Sequence, residues 1–219
     1  MNQTTLINLV SGEAVSTFLL LFLGLGLTQF DSKATQVKIA AYWVLAVFIG
    51  NVVGTRLGSS NMNPIFLFQD TILKEQSILI FGWGLLAEIV GAAAAVIILL
   101  LLPSSKDKGL RDYAAVKGKI SCKKAVLLEI AATFALLWVS MEAAELAQGW
   151  SKFLIVSLFI GCLVYFVGPI TGASMNPVRD LVPRILYIKK TDCWQEIGNS
   201  LVSSVAAPIV GGFLFMAVF

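Results

Sequence analysis

Residues 168–180 of this chain read GPITGASMNPVRD, and a shorter version of the pattern, SSNMNP, occupies residues 59–64. Each stretch interrupts an apolar segment with glycine or serine and then reaches an Asn-Pro dipeptide. The dipeptides are Asn63-Pro64 and Asn176-Pro177, so each half of the 219-residue chain has one copy. Two broken segments at corresponding positions of two halves predict a membrane pathway at the interface between the repeats.

The composition indicates a membrane protein. Apolar residues make up 58% of the chain and charged residues 13%, whereas soluble domains are about half apolar and about a quarter charged. Six apolar runs approach or exceed the length of about 20 residues that crosses a bilayer. They are 6–28, 38–57, 78–102, 124–141, 153–170 and 197–219. The runs nearly fill the chain, so we expect an all-α membrane protein with no separate soluble domain.

Several functional classes are disfavoured by what the sequence contains. There are no histidines, and no serine or cysteine nucleophile has a partner base in view. The three cysteines, Cys122, Cys162 and Cys193, share no metal-ligand spacing. A net charge of +3 gives no indication of nucleic-acid binding. We therefore expect neither an enzyme nor a metal site, a cofactor or a nucleic-acid partner.

The two halves of the chain match in three places. The segment EAVSTF at 13–18 resembles EIAATF at 129–134, the Asn-Pro loops follow, and IVG at 89–91 recurs at 209–211. Each half therefore consists of two helices, a broken loop with a short half-helix, and a third helix. Because three crossings per half is an odd number, the second half is inverted and the two loops enter from opposite faces. We predict one channel domain, 1–219, with repeats at about 1–102 and 124–219 joined by a basic loop, 103–123.

The Asn-Pro dipeptides predict two half-helices. Proline suits the first turn of a helix, and asparagine is a favoured N-cap directly before it. Half-helices of about ten residues that begin at Pro64 and Pro177 would each span about 15 Å. Placed end to end, they would cover the hydrocarbon core of about 30 Å, with their N-termini facing each other at the midplane.

One acidic residue lies inside the first crossing of each half, Glu13 in the first and Glu129 in the second. A carboxylate inside a membrane is costly and is by default functional. Their matched placement predicts that both accept hydrogen bonds from backbone N–H groups of the broken loops. The alternative is a glutamate near a helix end that reaches the membrane interface.

On these residues the chain resembles the major intrinsic protein family, the aquaporins and glycerol facilitators. The resemblance covers essentially the whole chain, and residues 168–180 are its most specific part. It implies six transmembrane helices with two re-entrant half-helices. It also implies a homotetramer with one pore per subunit, in the lipid bilayer of the plasma membrane, with both termini cytoplasmic.

The resemblance further implies a constriction built from Trp43, Val164, Ala173 and Arg179. Water-selective members typically carry phenylalanine and histidine at the first two positions. A tryptophan and a valine, with a small alanine opposite, resemble the amphipathic filter of glycerol facilitators instead. An apolar wall accommodates a carbon backbone, while the donors of a guanidinium group bind hydroxyls. The alternative for Trp43 is an interfacial belt tryptophan.

Three further residues, Asp180, Arg184 and Pro208, stand where glycerol facilitators differ from water channels. For Asp180 the alternative is favourable electrostatics at a helix start, and for Arg184 it is snorkelling or pairing with a nearby acid. Two positions depart from the family pattern, because Ile65 and Val178 replace the usual alanine after Asn-Pro. Their larger side chains are expected to narrow or tilt the midpoint of the pore.

The expected function is a passive channel for glycerol and other small neutral solutes, with water. Asn63 and Asn176 would donate N–H groups to a permeant at the midplane, while the positive helix ends and Arg179 exclude cations. A mainly water-selective channel is the alternative, favoured if Ile65 and Val178 pinch the pore. A secondary transporter with inverted repeats is a more distant one, and an intramembrane enzyme comes last.

Basic residues accumulate between the third and fourth crossings, at Lys106, Lys108, Arg111, Lys117, Lys119, Lys123 and Lys124. The positive-inside rule places this loop in the cytoplasm, whereas the family resemblance places it outside. We follow the resemblance, and we expect the loop to be solvated.

Overall fold

The computed structural model describes residues 3–103, 108–198 and 200–219, and every regular element within them is helical. The α-helices are α1 (Gln3–Phe30), α2 (Gln36–Leu57), α3 (Pro64–Leu73), α4 (Ile78–Leu101), α5 (Cys122–Leu146), α6 (Trp150–Thr171), α7 (Pro177–Thr191) and α8 (Ala207–Val218). A π turn at Val202–Ala206 leads directly into α8. Lys106 and the rest of 104–107, part of the joining loop, lie outside the described residues.

Six apolar helices and two half-helices form the fold that the sequence predicts. Five helices, α1, α2, α4, α5 and α6, are long and apolar enough to cross a membrane. The sixth is shorter than the run from 197 to 219, because the apolar helix covers Val202–Val218. A short 3₁₀ turn at Trp194–Glu196 occupies the chain ahead of it.

The two half-helices differ in length. The first, α3, has 10 residues, but α7 has 15 where about ten were expected. Two features of α7 have no counterpart in α3. A buried ion pair between Asp180 and Arg184 joins successive turns, and Lys189 and Lys190 lie in the last turn, where cations interact favourably with the helix dipole.

The two halves pack in the same way. In each, the first helix contacts the second and the third, so α1 packs on α2 and α4, and α5 on α6 and α8. Glycines at matching positions allow the close approach. An added Cβ at Gly91 would overlap the carbonyl of Ala14, and one at Gly211 would lie 2.6 Å from the carbonyl oxygen of Ile130.

The part of the joining loop that the structure describes, from 108 onward, is packed against the helices rather than solvated, contrary to the expectation. Tyr113, Ala114 and Ala115 are buried, and the ring of Tyr113 stacks on Tyr187 at 5.1 Å between centroids. Burial raises the pKa of Tyr113 to about 12, so its hydroxyl stays neutral. The loop is bonded to the second half of the chain, because the backbone N–H of Lys117 donates to the Ser200 hydroxyl at 2.8 Å.

Candidate functional site

The first broken loop is held by Glu13 from the adjacent helix α1. Its carboxylate is fully buried and accepts hydrogen bonds from the backbone N–H groups of Asn61 and Met62, both at 2.9 Å. The side-chain amide of Asn61 (3.0 Å) and the hydroxyl of Ser59 donate to the same carboxylate. The loop starts at Gly58, where a φ of 126° ends α2 in a backbone region that favours glycine.

Glu129 holds the second loop by equivalent bonds. Its carboxylate accepts the backbone N–H groups of Ser174 and Met175, both at 3.0 Å. The hydroxyl of Thr171 donates to it at 2.5 Å, and Gly172, with a φ of 94°, ends α6. Both glutamates thus bind the two residues that precede the asparagine, as the repeat in the sequence requires.

The two asparagines cap the half-helices and join the two loops to each other. The side-chain oxygen of Asn63 accepts from the amide of Ile65 at 3.1 Å, and that of Asn176 accepts from Val178 at 3.0 Å. Their side-chain nitrogens donate crosswise. Asn63 donates to the carbonyl of Met175 at 2.9 Å, and Asn176 to the carbonyl of Met62 at 2.6 Å. An amide nitrogen carries two hydrogens, so each asparagine keeps one for another acceptor.

The methionine before each asparagine has an unusual backbone conformation. Met62 and Met175 have φ values of 53° and 49°, in the left-handed region that costs a residue other than glycine about 1–3 kcal/mol. Both N–H groups are held by the glutamates, and both carbonyls accept the crosswise asparagine bonds. The strain therefore aims the two carbonyls at the opposite repeat.

Two cavities lead to this region from opposite ends of the helix bundle. The larger has a volume of about 510 Å³, opens between Asp70, Glu145 and Lys152, and includes both asparagines. The smaller, about 190 Å³, is lined by polar groups of α1, α2 and the joining loop, including Thr28, Gln36, Arg111 and Asp112. Both cavities are lined by Trp43, Val164 and Arg179.

These three residues and Ala173, expected to form one constriction, lie together in the structure. Ala173 lines the larger cavity. The guanidinium carbon of Arg179 lies 4.7 Å from the centroid of the Trp43 ring, within the range of a cation–π contact. Arg179 is buried, and its Nη1 has no hydrogen-bond partner among the described residues. The constriction therefore combines the apolar face of the indole with the guanidinium of Arg179.

The larger residues after Asn-Pro do not face the cavities. Ile65 packs with Leu137 and Phe215, and an added Cβ at Gly212 would collide with its side chain. Val178 is buried in the main core cluster. Neither residue lines either of the two cavities, so these side chains do not themselves narrow the passage there. Neighbouring helices accommodate the added volume, most visibly at Gly212.

Asp180 and Arg184 form a buried ion pair away from the cavities. Arg184 Nε donates to Asp180 Oδ2 at 3.0 Å, and Nη2 donates to Oδ1 at 3.1 Å. Together they hold the joining loop, because Asp180 accepts the amide of Ala115 at 2.6 Å and Arg184 donates to its carbonyl at 2.9 Å. The hydroxyl of Ser204 also donates a hydrogen bond to Asp180 Oδ2 at 2.9 Å.

Pro208 lies four residues after Ser204, whose backbone carbonyl it cannot bond. A proline has no N–H to bond the carbonyl of the preceding helical turn. In this structure the carbonyl of Ser204 instead accepts the hydroxyl of Ser174 at 2.5 Å. Pro208 is buried at the start of α8, and the π turn before it brings Ser204 toward the second loop.

Sequence reasoning missed Glu88, a fully buried acid on α4. Its carboxylate lies near the backbone N–H of Asn63, but neither oxygen receives a hydrogen bond of ordinary geometry among the described residues. The repeat contained the signal, because IVG at 89–91 and 209–211 aligns Glu88 with Pro208. The polar residues of the smaller cavity, such as Gln36, lie at helix ends and in the joining loop, where polar residues give no signal.

Comparisons with known proteins agree with this geometry. The model of the family described as "Major intrinsic protein" matches residues 1–219. The aquaporin TIP2-1 of Arabidopsis thaliana is 26% identical, over 93% of this chain and 86% of the relative. The aquaporin TIP4-4 of Zea mays is 27% identical, over 95% and 86%. The X-ray structure of the aquaglyceroporin from Plasmodium falciparum superposes with a TM-score of 0.81 at 24% identity, over 97% and 94% of the two chains.

Proposed function

The chain belongs to the major intrinsic protein family of membrane channels, which are not enzymes, and we propose that it conducts glycerol and other small neutral solutes together with water. The observation that carries the proposal is the pairing of Trp43 with Arg179. The indole offers an apolar surface to a carbon chain, while the guanidinium of Arg179, which lines both cavities, offers donors to its hydroxyls.

Val164 and Ala173 complete the proposed filter. Both are small, so the passage opposite Trp43 keeps room for a CH–OH unit rather than a single water. The carbonyl of Val164 accepts the side-chain amide of Gln36 at 2.7 Å, which anchors this part of α6 to α2. A rigid, half-apolar aperture suits solutes with hydroxyls along one side of a short carbon chain.

The midplane supports passage of neutral solutes and exclusion of cations. Each half-helix directs its N-terminus, the positive end of its dipole, toward the asparagine that caps it. The remaining N–H of Asn63 and of Asn176 would donate to the oxygen of a permeant. With donors on both sides, a central water accepts two hydrogen bonds and is poorly placed to pass on a proton. Flux would be driven only by the solute gradient.

A mainly water-selective channel is the second candidate. It is favoured by the names of the similar proteins TIP2-1 and TIP4-4, which are called aquaporins. The side chains of Ile65 and Val178 lend it no support, because they lie outside the cavities. A secondary transporter would need a free titratable group in the pathway. Glu13 and Glu129 are both committed to loop N–H groups, and the third buried glutamate described above, Glu88, lines neither cavity.

The protein is a multi-pass membrane protein, and we further propose its setting. It would act as a homotetramer in the plasma membrane, with two inverted repeats, 1–102 and 124–219, and with the basic loop 103–123 outside. Outward apolar side chains such as Leu127 are available for contact with lipid or with another subunit. Protease cleavage of the loop in intact cells would support the orientation, and cleavage only after permeabilisation would contradict it.

The function is tested by stopped-flow light scattering on proteoliposomes. Under a glycerol gradient, rapid re-swelling after the initial shrinkage would support glycerol conduction. The double variant Val164→His/Ala173→Phe should abolish re-swelling but keep the water response. Leu127→Phe, with a side chain 65% exposed on the outer surface of α5, is the control and should match the wild type. Fast shrinkage without glycerol entry in the wild type would reassign the chain to the water-selective candidate.

A further inference from the structure

A glycine lies on α1 beside the proposed filter. Leu20, Gly24 and Thr28 are successive members of one face of this helix, spaced by four residues. Leu20 lines the larger cavity and Thr28 the smaller. Gly24 therefore lies between them, at the level where the two cavities meet.

The ring of Trp43 occupies the space that a side chain at residue 24 would need. A Cβ added to Gly24 would lie 2.8, 2.9 and 3.0 Å from three carbons of the six-membered ring of the indole. Carbon atoms in contact are normally about 3.5–4.0 Å apart. The indole can therefore take its observed position only because residue 24 has no side chain.

The remainder of the indole faces the passage. Trp43 lines both cavities, and the guanidinium of Arg179 lies over its ring. A side chain at residue 24 would displace the ring away from α1, toward the cavities and against Arg179. This displacement would narrow the passage at its most restricted level.

We propose that Gly24 is a positioning residue of the filter, which sets the width of the passage by letting the Trp43 indole lie against α1. The inference rests on the proposed function, since it assigns Gly24 a part in admitting a solute wider than water. Glycine inside a helix is less favourable than alanine. Alanine at this position would thus favour the helix and still impair the filter.

The test compares two glycine-to-alanine variants of the same helix. In Gly24→Ala we expect glycerol permeability to fall about tenfold, equivalent to ~1.4 kcal/mol in the barrier, while water permeability falls much less. Gly26→Ala is the matched control, because its Cβ would lie 3.2 Å from a methyl group of Leu99, away from the filter. It should keep both permeabilities. An unchanged ratio of glycerol to water permeability in Gly24→Ala would overturn the inference.

A second substitution separates a change in the filter from general damage to the fold. In Gly24→Ala/Trp43→Phe the smaller ring leaves room for the added methyl group, so glycerol permeability should recover. No recovery would count against the inference. Where Gly24→Ala alone fails to fold, Trp43→Phe and the double variant are compared instead. Both should fold and conduct glycerol equally, because the smaller ring leaves room for the methyl group, and a double variant that fails to fold or conducts less would overturn the inference.

The proposed function and the inference can fail separately. If the wild type carries water but no glycerol, the proposed function fails. The inference is then decided by water permeability. A fall in Gly24→Ala but not in Gly26→Ala, restored by Trp43→Phe, would support Gly24 as the positioning residue of a narrower filter. Equal water permeability in the two alanine variants would overturn it.

Discussion

The two Asn-Pro loops are built alike at their centres and differently around them. In both, a buried glutamate accepts the N–H groups of the two residues before the asparagine. In both, a methionine in the left-handed region presents its carbonyl to the opposite asparagine. The residues that the halves share are therefore those that position the loops.

Beyond their Asn-Pro starts, the two half-helices differ in the residues that anchor them. Asp180 and Arg184 in α7 correspond to Leu67 and Thr71 in α3. In the second half the ion pair binds the joining loop and Ser204. In the first half, the position equivalent to Ser204 is Gly84, against which Leu67 packs directly. One half-helix is anchored by charges and the other by apolar packing.

This difference teaches that the residues shared by the two repeats determine where the half-helices meet, while the unmatched residues contribute to the proposed filter and support it. Arg179 and the equivalent Phe66 both line the larger cavity, and only the arginine offers donors. In the proposed filter, the donors that bind hydroxyl groups would consequently come from the second half-helix. The four experiments that follow test this division, beginning with the largest expected effect.

The charged anchor can be replaced by the residues of the first half. Asp180→Leu leaves the Arg184 charge buried without its partner, a change that costs about 3–5 kcal/mol. We expect a large fall in the melting temperature of the purified protein in detergent. Asp180→Leu/Arg184→Thr removes both charges and should be more stable than the single variant. If the double variant is no more stable, the bonds to Ala115, and not the charge, account for the loss.

The shared glutamates should respond equally. Glu13→Gln and Glu129→Gln each replace one carboxylate oxygen by a donor, so one buried loop N–H loses its acceptor at a cost of about 1–3 kcal/mol. Water and glycerol permeability should fall together in both variants, since the loop moves as a unit. A variant that alters only the ratio of the two solutes would mean that its loop reaches the filter independently of the midplane.

The bond that Pro208 permits is a smaller, asymmetric feature of the second loop. Ser174→Ala removes the donor to the Ser204 carbonyl, and a hydrogen bond of this kind contributes about 0.5–1.5 kcal/mol. In a Pro208→Ala background the restored N–H can bond the same carbonyl, so Ser174→Ala should cost less there. A double-mutant cycle on melting temperature measures this coupling. If the effects of the two substitutions on the melting temperature are additive, the Ser174 bond does not depend on Pro208.

The smallest effect concerns the connection between the first two helices. Hydrogen bonds from Tyr42 and Lys38 lower the pKa of Asp31 to about 2, and the equivalent connection, 147–149, has no acidic residue. A lowered pKa stabilises the fold above the unfolded value of about 3.9, and this contribution is lost as the pH falls through about 2. Asp31→Asn should therefore melt slightly below the wild type near neutral pH and equal it in strong acid. A difference that persists in acid would contradict the assignment.

The features that the two Asn-Pro loops share could largely be predicted from the sequence. The matched glutamates and Asn-Pro dipeptides required only a repeat and the rules for helix starts. The contact of Ala115 with Asp180 was not predictable, because it joins residues far apart in the chain and has no counterpart in the other half. The Ile65 side chain packs into the space that Gly212 leaves, and no pattern in the sequence around Ile65 shows that this space exists. The room that Gly24 leaves for Trp43 was hidden for the same reason.

The crosswise bonds of Asn63 and Asn176 have the form of a contact in a two-fold symmetric dimer. In such a dimer, residue i of one subunit contacts residue j of the other and the reverse also holds. Here both subunits are halves of one polypeptide. A single half that paired with an upside-down copy of itself would already possess both bonds. Fusion of two copies would preserve that contact, and each half could then change around it.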